Sequence, residues 1–327
     1  MTLRAVLAGL VSVGVVSAGA GNVWGTAVTP ASQAATPDVP AAQVAPPVEP
    51  VTDAALEAAG NGRTVRVGSP GTGGVSVLPI EVYVARVLAG EAAPNTPDGA
   101  LQALAIAART YTIVNAGRHD REGFDVCDTT HCQVYRAATP ATRRAVLASA
   151  GLVLTYNGTP AEVFYSASCG GHTERASEVW ATGNQFPYLL GVDDDVHEGD
   201  PVWTLERSLD EVRDAVVRLG LRGRRLKDLR VDVRSGSGRV SRVGLPGLSP
   251  DTLTGDQLRS ALGFAELRST AFTVERAGER LRFEGRGYGH GVGLCVVGAG
   301  RRAARGDTAE AILRHYFPAL EIRRLEP

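Results

Sequence analysis

The stretch from Pro79 to Tyr111 constrains the fold most, because it joins an apolar segment, a proline turn and a helix of small residues. Pro97 suits the first turn of a helix, and Thr96 or Asn95 can cap its N-terminus. The predicted helix carries a face of alanine and leucine residues that can pack closely against neighbours. We therefore expect the rest of the chain to be organised around this stretch.

Glu91 lies in this stretch, between the apolar segment and the Pro-Asn-Thr-Pro turn. Gly90 leaves the backbone beside the carboxylate open to a partner. Arg109 and Tyr111 lie at the far end of the helix, where a cation is also favourable. From spacing alone, an ordinary surface carboxylate is the simplest interpretation of Glu91.

The N-terminal residues 1–27 resemble an export signal. Arg4 precedes an apolar run from Ala5 to Val16, and small residues follow. An uncleaved membrane anchor is the alternative, although the run is short for a span of about 20 residues. Residues 28–52 are rich in alanine and proline and are expected to form a linker. We expect an exported protein, located in the periplasm, in the cell wall or outside the cell.

The composition limits which classes of partner we expect. The net charge is −1 and 21% of the residues are charged, which gives no indication of nucleic acid as a partner. Contact with a membrane is expected only through an uncleaved N-terminal segment. The chain contains 39 glycines, many of them beside the motifs, so we expect sites built from loops on a compact scaffold.

A cysteine- and histidine-rich loop follows the central helix. His119, Cys127, His131 and Cys132 offer two nitrogens and two thiolates, which suits tetrahedral Zn²⁺. Such an ion would brace the loop that bears Gln133 and leave no position for a catalytic water. A disulfide is the alternative, because an exported protein with four cysteines often forms disulfides.

Two glycine-rich segments stand further along the chain, at residues 166–174 and 285–299. The density of glycine in the second segment predicts a backbone in unusual conformations that presents Tyr288 and His290 at a rim. We expect the two segments to converge. Cys169 and Cys295 would then lie close together and could form a disulfide.

The remaining pattern predicts an α+β fold with mixed helices and mainly antiparallel strands. Asn157-Gly158 predicts a hairpin turn between strands at 152–156 and 161–166. Residues 208–220 show an amphipathic helix with a capping box, and two further strand pairs follow, at 229–244 and 271–284. Hairpins in place of long crossovers favour antiparallel pairing.

Several separated motifs resemble the SpoIID/LytB family. They occur in the family's order from Val65 to Leu320 and include Pro79–Tyr83, Gly90–Glu91, Ala107–Tyr111, Ser166–Glu174 and Gly285–Gly293. The resemblance implies one SpoIID-like catalytic domain over residues 53–327, with a cleft between the glycine-rich loops. One departure is Val296, where members commonly carry glutamine.

The resemblance also implies a function. The family's sporulation member is a lytic transglycosylase of peptidoglycan, and its single catalytic carboxylate corresponds to Glu91. Zinc-binding members carry a segment similar to Cys127–Tyr135. The expected contacts with the glycan strand come from eight residues: Arg109, Tyr111, Gln133, Tyr135, Ser168, His172, Tyr288 and His290. For Arg109, scaffolding is an equally open role. The alternative function is a non-catalytic wall-binding protein that enhances a partner amidase.

Overall fold

The computed structural model describes residues 49–180 and 185–326. The expected export signal at 1–27, and the expected linker as far as residue 48, lie outside these ranges. Within the described ranges, no helix combines the length and apolar character needed to cross a membrane. Helices and mostly antiparallel sheets are both present, which confirms the α+β class.

The helices alternate with short strands along the chain. The helices are α1 Asp53–Ala59, α2 Ile80–Glu91, α3 Asp98–Val114, α4 Pro140–Ala148, α5 Ala176–Val179, α6 Leu209–Val217, α7 Gly255–Leu262, α8 Val296–Ala304 and α9 Ala309–Tyr316. The strands are β1 Thr64–Ser69, β2 Gly74–Pro79, β3 Val126–Cys127, β4 Leu152–Tyr156, β5 Thr159–Pro160, β6 Tyr165–Ser166, β7 Trp203–Ser208, β8 Arg230–Arg234, β9 Val240–Gly244, β10 Thr252–Thr254, β11 Phe272–Ala277, β12 Arg280–Gly285, β13 Leu294–Cys295 and β14 Glu321–Arg324.

Helix α3 forms the centre of the larger hydrophobic core. Twelve of its 17 residues are buried, and it packs against α2, α4, α8, α9 and β4. Its alanines allow this close approach on several sides. The helix begins at Asp98, so Pro97 is the N-cap and makes no side-chain hydrogen bond to the helix. The expected cap by Thr96 or Asn95 is wrong, because the helix starts later than predicted. The helix continues to Val114. The predicted central helix is therefore confirmed, with a longer C-terminal end.

A second hydrophobic core is built by residues 203–283. Strands β7, β11 and β12 form one antiparallel sheet, and β8, β9 and β10 form another. Helix α6 carries the predicted capping box between Ser208 and Glu211. Since no described residue of this segment belongs to the larger core, the chain leaves that core, builds the second one, and returns at Val292.

Two parallel strand pairs interrupt the antiparallel pattern. Strand β1 pairs with β3, and β6 pairs with β13. The second pair corrects the predicted hairpin: β4 pairs with β5 only as far as Pro160, whereas β6 pairs with β13. The Ala161 N–H still donates to the Leu154 carbonyl at 3.0 Å, but the Phe164 carbonyl already accepts from Leu294 at 3.0 Å, so the chain has left β4 by then. The turn itself is as predicted, with Asn157 and Gly158 both at positive φ.

Candidate active site and metal cluster

Glu91 is the last residue of α2, and its side chain is half-buried. Its carboxylate accepts a hydrogen bond of 3.0 Å from the backbone N–H of Val134. Gly90 makes this approach possible, because a Cβ at that position would lie 2.4 Å from the Val134 carbonyl oxygen. The partner for which Gly90 leaves room is thus the segment that follows the cysteine-rich loop.

Burial raises the pKa of Glu91 above its ordinary value, and the Val134 hydrogen bond partly opposes this shift. The C-terminal end of a helix also disfavours negative charge. Glu91 therefore holds a proton to higher pH than a surface glutamate does. A carboxyl group of this kind can donate a proton near neutral pH and later accept one.

Gln133 holds the segment beside Glu91 in place. Its side chain is fully buried, and its Oε1 accepts hydrogen bonds from the hydroxyls of Tyr83, at 3.2 Å, and Thr112, at 2.8 Å. Its Nε2 donates to the Ala108 carbonyl and, at 2.9 Å, to the Tyr165 hydroxyl. These bonds occupy its donors and acceptor. The expected contact of Gln133 with the glycan is corrected to a positioning role.

Arg109 is also buried, with 0% exposure. Its guanidinium pairs with the buried carboxylate of Glu81, with Nη2 to Oε2 at 2.6 Å, and donates to the Leu152 carbonyl. Of the two roles expected for Arg109, this placement supports scaffolding and excludes direct contact with a glycan in this conformation. The sequence interpretation overlooked Glu81, whose partner is 28 positions away.

Tyr111 is enclosed as well, and Tyr135 is partly open. Tyr111 is 5% exposed and packs edge-on against Phe164, so its expected substrate contact is corrected to core packing. Tyr135 is half-buried and packs edge-on against Tyr83, with ring centroids 6.0 Å apart.

The four expected metal ligands converge. The ligand atoms of His119, Cys127, His131 and Cys132 all lie within 4.8 Å of one another. The His119 Nε2 lies 3.3 Å from the Cys132 Sγ, and the His131 Nδ1 lies 3.7 Å from the Cys127 Sγ. The other nitrogen of His119 is bound to Glu122, an arrangement typical of metal-binding histidines. These residues form a potential metal-binding cluster.

The cluster lies next to the segment that contacts Glu91. Cys132 is followed at once by Gln133 and Val134, the two residues that anchor to the core and to Glu91. Burial is the main cause that raises the pKa of Cys132 to about 11. A nearby cation would favour the thiolate and oppose this shift.

The two glycine-rich segments converge, as predicted. Ser168 and Tyr288 exchange backbone hydrogen bonds of 2.8 and 3.0 Å, and the N–H of Glu174 donates to the Gly291 carbonyl at 2.8 Å. Cys169 and Cys295 are also close, with the Cys169 N–H 3.2 Å from the Cys295 Sγ. No disulfide joins the two cysteines.

The expected rim residues differ in accessibility. Tyr288 is 46% exposed. The ring of His290 packs against Trp180, with centroids 5.1 Å apart, and burial is the main cause that lowers its pKa to about 3. His290 is therefore a neutral imidazole at neutral pH. His172 is half-buried and lies 3.5 Å from Asp193.

Tyr165 connects the two halves of this region. Its hydroxyl accepts a hydrogen bond from Gln133, and its backbone lies in β6, paired with Leu294 of β13. The segment beside Glu91 and the glycine-rich loops are thus joined through one side chain. Glu91 with its neighbouring backbone N–H can perform acid–base chemistry, while the loops offer exposed polar and aromatic groups.

Two family models match this chain, one over part of the larger core and one over the second core. A family model described as stage II sporulation protein, SpoIID, matches residues 69–156. This range contains Glu91 and the four residues of the metal cluster. A model described as a domain of unknown function, DUF8618, matches residues 202–293, which include the second core.

Relatives cover most of the chain. Stage II sporulation protein D of Bacillus subtilis is 28% identical over 272 residues, which are 76% of this chain and 75% of that protein. An uncharacterised protein of Brachyspira hyodysenteriae is 29% identical over 253 residues, 76% of this chain and 67% of the relative. The amidase enhancer of Bacillus subtilis is 28% identical over 272 residues, 67% of this chain and 37% of that protein.

Proposed function

Because the chain belongs to the SpoIID family, we propose that it cleaves the glycan strands of peptidoglycan by lytic transglycosylation, with Glu91 as acid and base. The observation that carries the proposal is the environment of Glu91. Its carboxyl group is half-buried, has a raised pKa and is oriented by the Val134 N–H. A group with these properties can move a proton in both directions during one reaction.

The proposed reaction has two proton transfers. Protonated Glu91 donates to the oxygen between N-acetylmuramic acid and N-acetylglucosamine, and the bond from that oxygen to C1 of the muramic acid breaks. The Glu91 carboxylate then accepts the proton of the C6 hydroxyl of the same sugar, whose oxygen bonds to C1. The products are a free N-acetylglucosamine hydroxyl and a 1,6-anhydro end, and no water is consumed.

This mechanism requires one carboxyl group, whereas most glycosidases use two. A lytic transglycosylase can use one group, because an intramolecular hydroxyl replaces the water that a second carboxylate would activate. The single catalytic carboxylate that the family resemblance implies therefore favours transglycosylation over hydrolysis.

We propose that the glycan contacts those residues of the expected set that are at least partly accessible. Tyr288 is the most open of the aromatic residues in that set, and its ring can stack on a sugar face. Tyr135, His172 and Ser168 are half-buried and offer hydrogen bonds. His290, a neutral imidazole packed beside Trp180, completes the proposed set.

A structural Zn²⁺ is proposed for the cluster of His119, Cys127, His131 and Cys132. Two thiolates and two imidazole nitrogens fill a tetrahedral shell and leave no open position. The ion would brace the loop that leads to Val134, and proton transfer would remain with Glu91. Metal analysis of untagged protein with thiol counting tests this. Loss of one zinc ion per chain in Cys127→Ser supports the proposal, and an oxidised Cys127–Cys132 pair with no zinc bound to it rejects it.

The first test of activity uses intact and peptide-stripped glycan strands. Purified protein is incubated with each, and the new ends are analysed by mass. Transglycosylation gives muramic acid ends that are lighter than hydrolytic ends by one water. Ends of that mass on either substrate support the proposal, and comparison of the two substrates shows whether stem peptides must be removed first. Hydrolytic ends, or no cleavage of either, reject it.

A second candidate function rests on the amidase enhancer relative. In this alternative, the chain binds the cell wall and stimulates a partner amidase without cleaving glycan. The same incubation separates the two functions when an amidase is added. Faster release of stem peptides without anhydro ends supports the enhancer, whereas anhydro ends in the absence of amidase require the enzyme.

Export is part of this proposal, since peptidoglycan lies outside the cytoplasmic membrane. Residues 1–27 are proposed to direct the chain across that membrane, with cleavage near Ala18–Ala20. N-terminal sequencing of the exported protein tests this. A mature N-terminus near residue 21 supports cleavage, and an intact Met1 in the membrane fraction supports a retained anchor.

A further inference from the structure

A second group of potential metal ligands lies where the two glycine-rich segments converge. It consists of Cys169, Asp194, His197 and Cys295, all buried, with ligand atoms within 4.8 Å of one another. The four residues come from three parts of the chain. Cys169 follows β6, Asp194 and His197 begin and end a single 3-10 turn at 194–197, and Cys295 ends β13. No part of the proposed transglycosylation uses them.

The separations between these atoms suit a shared tetrahedral centre. The His197 Nε2 lies 3.2 Å from the Asp194 Oδ2 and 3.3 Å from the Cys295 Sγ. The Cys169 Sγ lies 3.3 Å from the same carboxylate oxygen. Zinc bonds of about 2.0 to 2.3 Å place tetrahedral ligands roughly 3.3 to 3.8 Å apart. The four side chains therefore need only small shifts to close around one ion.

The outer hydrogen bonds orient the donors towards this centre. The His197 Nδ1 is bound to the Asp200 carboxylate at 2.7 Å, which leaves Nε2 to face the cluster. Asp194 is held by the Tyr316 hydroxyl at 2.7 Å and by Arg302 at 3.1 Å. A carboxylate behind a histidine is the usual second partner of metal-bound imidazole.

The Cys295 sulfur has the surroundings of a thiolate. It accepts backbone hydrogen bonds of 3.2 Å from Cys169 and from Gly298. It is also the N-cap of α8, where the helix dipole favours negative charge. Two N–H donors on a sulfur at a helix N-terminus match a metal-bound thiolate better than a neutral thiol.

A buried cation beside the cluster supplies the matching charge. Arg239 is 2% exposed and donates to the Cys169 carbonyl at 2.6 Å. Its Nε and Nη1 have no hydrogen-bond partner among residues 49–180 and 185–326. Two thiolates, one carboxylate and Zn²⁺ together carry a charge of about −1. A centre of that charge would offset the buried guanidinium.

We propose that Cys169, Asp194, His197 and Cys295 form a second, structural zinc site that joins the two glycine-rich loops to the 194–197 turn and to the start of α8. Two soft thiolates with imidazole and carboxylate favour zinc over magnesium or calcium. The four protein ligands leave no position for substrate. This site is separate from the cluster at His119–Cys132 and does not depend on the chemistry of Glu91.

Zinc counting by native mass spectrometry and elemental analysis tests the proposal. Cys169→Ser/Cys295→Ser should lower the zinc content by one ion per chain. Cys127→Ser/Cys132→Ser should leave one ion bound, and it tests the site even if the first variant does not fold. Both variants are checked by circular dichroism. Zinc-free Cys127→Ser/Cys132→Ser that remains folded would overturn the proposal, since His197 would then simply bridge Asp194 and Asp200.

The redox state of Cys169 and Cys295 gives a second test of the proposal. The wild-type protein is prepared without reductant in the presence of zinc, alkylated, and analysed by peptide mass. Protection of Cys169 and Cys295 from alkylation, lifted by a chelator with unfolding, is expected for metal-bound thiolates. A disulfide between these two cysteines, with zinc content unchanged in Cys169→Ser/Cys295→Ser, would contradict the proposal.

Discussion

The backbone N–H of Val134 lies 3.0 Å from the carboxylate of Glu91, although the two residues are 43 positions apart. This hydrogen bond joins the end of α2 to the segment after the cysteine-rich loop. It orients the carboxyl group and limits the rise in its pKa. The same segment is anchored by buried Gln133. The proposed acid is thus positioned by a backbone group that the core holds in place through Gln133, next to the potential metal-binding cluster.

Substitution of Gly90 tests this relationship. In Gly90→Ala, the new Cβ would meet the Val134 carbonyl oxygen at 2.4 Å, so the segment must shift. We expect a loss of about 1–3 kcal/mol in the free energy of unfolding and a fall in activity of ~10-fold or more. Chemical denaturation and the rate of glycan cleavage measure the two effects.

Gly300→Ala is the matched control for this substitution. Gly300 lies in α8, and a Cβ there meets no atom within 4 Å. Alanine in an open helical position is expected to be neutral or to stabilise by up to about 1 kcal/mol. Equal activity of Gly90→Ala and Gly300→Ala would show that the approach of Val134 is unimportant.

Gln133→Ala distinguishes positioning from substrate binding. Removal of the amide leaves the hydroxyls of Tyr83 and Tyr165 without their partner, whereas the Thr112 hydroxyl keeps the Ala108 carbonyl at 2.8 Å. We expect the free energy of unfolding to fall by roughly 2–4 kcal/mol. Thermal and urea denaturation measure it. A variant of normal stability with a raised KM for glycan would instead restore the substrate-contact interpretation.

The pH dependence follows from the raised pKa of Glu91. The proton donor is the protonated form, so activity is expected to fall as the pH rises through this raised pKa. The contribution of Glu91 to the free energy of unfolding changes with pH in the same direction. The unfolded chain loses the proton near the ordinary value of 4.5, and the folded chain loses it at higher pH. The contribution of Glu91 to stability is therefore largest below that value and declines as the pH rises.

Denaturation of the wild type and Glu91→Gln over a pH series checks this sign. The free energy of unfolding of the wild type minus that of the variant should decline as the pH rises from below 4.5 towards the raised value. A difference that grows with pH would mean that Glu91 is stabilised as a carboxylate in the folded protein.

Local patterns in the sequence were sufficient for much of the fold. The Ser208–Glu211 capping box and the Asn157-Gly158 turn were predicted because their chemistry acts within four residues. The convergence of His119, Cys127, His131 and Cys132 was predictable for a similar reason, since these four potential ligands lie within one short stretch of the chain. Even His119, separated from Cys127 by seven residues, takes the expected place.

Contacts between residues far apart in the sequence were harder to predict. The Val134 N–H has no side-chain signature, and the burial of Gln133 depends on core packing from several elements. The Glu81–Arg109 pair joins two helices, so only tertiary structure shows it. The sequence predicts a glycine-rich loop for residues that form the start of helix α8. Gly298 is required in this helix because a Cβ there would lie 2.1 Å from the Tyr316 hydroxyl.

The second cluster illustrates the same limit. Cys169 and Cys295 were expected to be close, because they lie in loops that share a family resemblance. Asp194 and His197 have no local connection with them in the sequence, since Asp194 is 25 positions from Cys169 and His197 is 98 positions from Cys295. The structure instead buries both residues beneath the loops.

The most direct test of the proposed function compares wild type, Glu91→Gln and Glu162→Gln on glycan strands. Burial also raises the pKa of Glu162, which makes it a matched control for a half-buried carboxyl group. The wild type and Glu162→Gln should release 1,6-anhydro-muramic acid ends. Glu91→Gln should fold, still bind glycan, and form these ends ~10²-fold more slowly or not at all. Anhydro ends formed at the wild-type rate by folded Glu91→Gln would contradict the account.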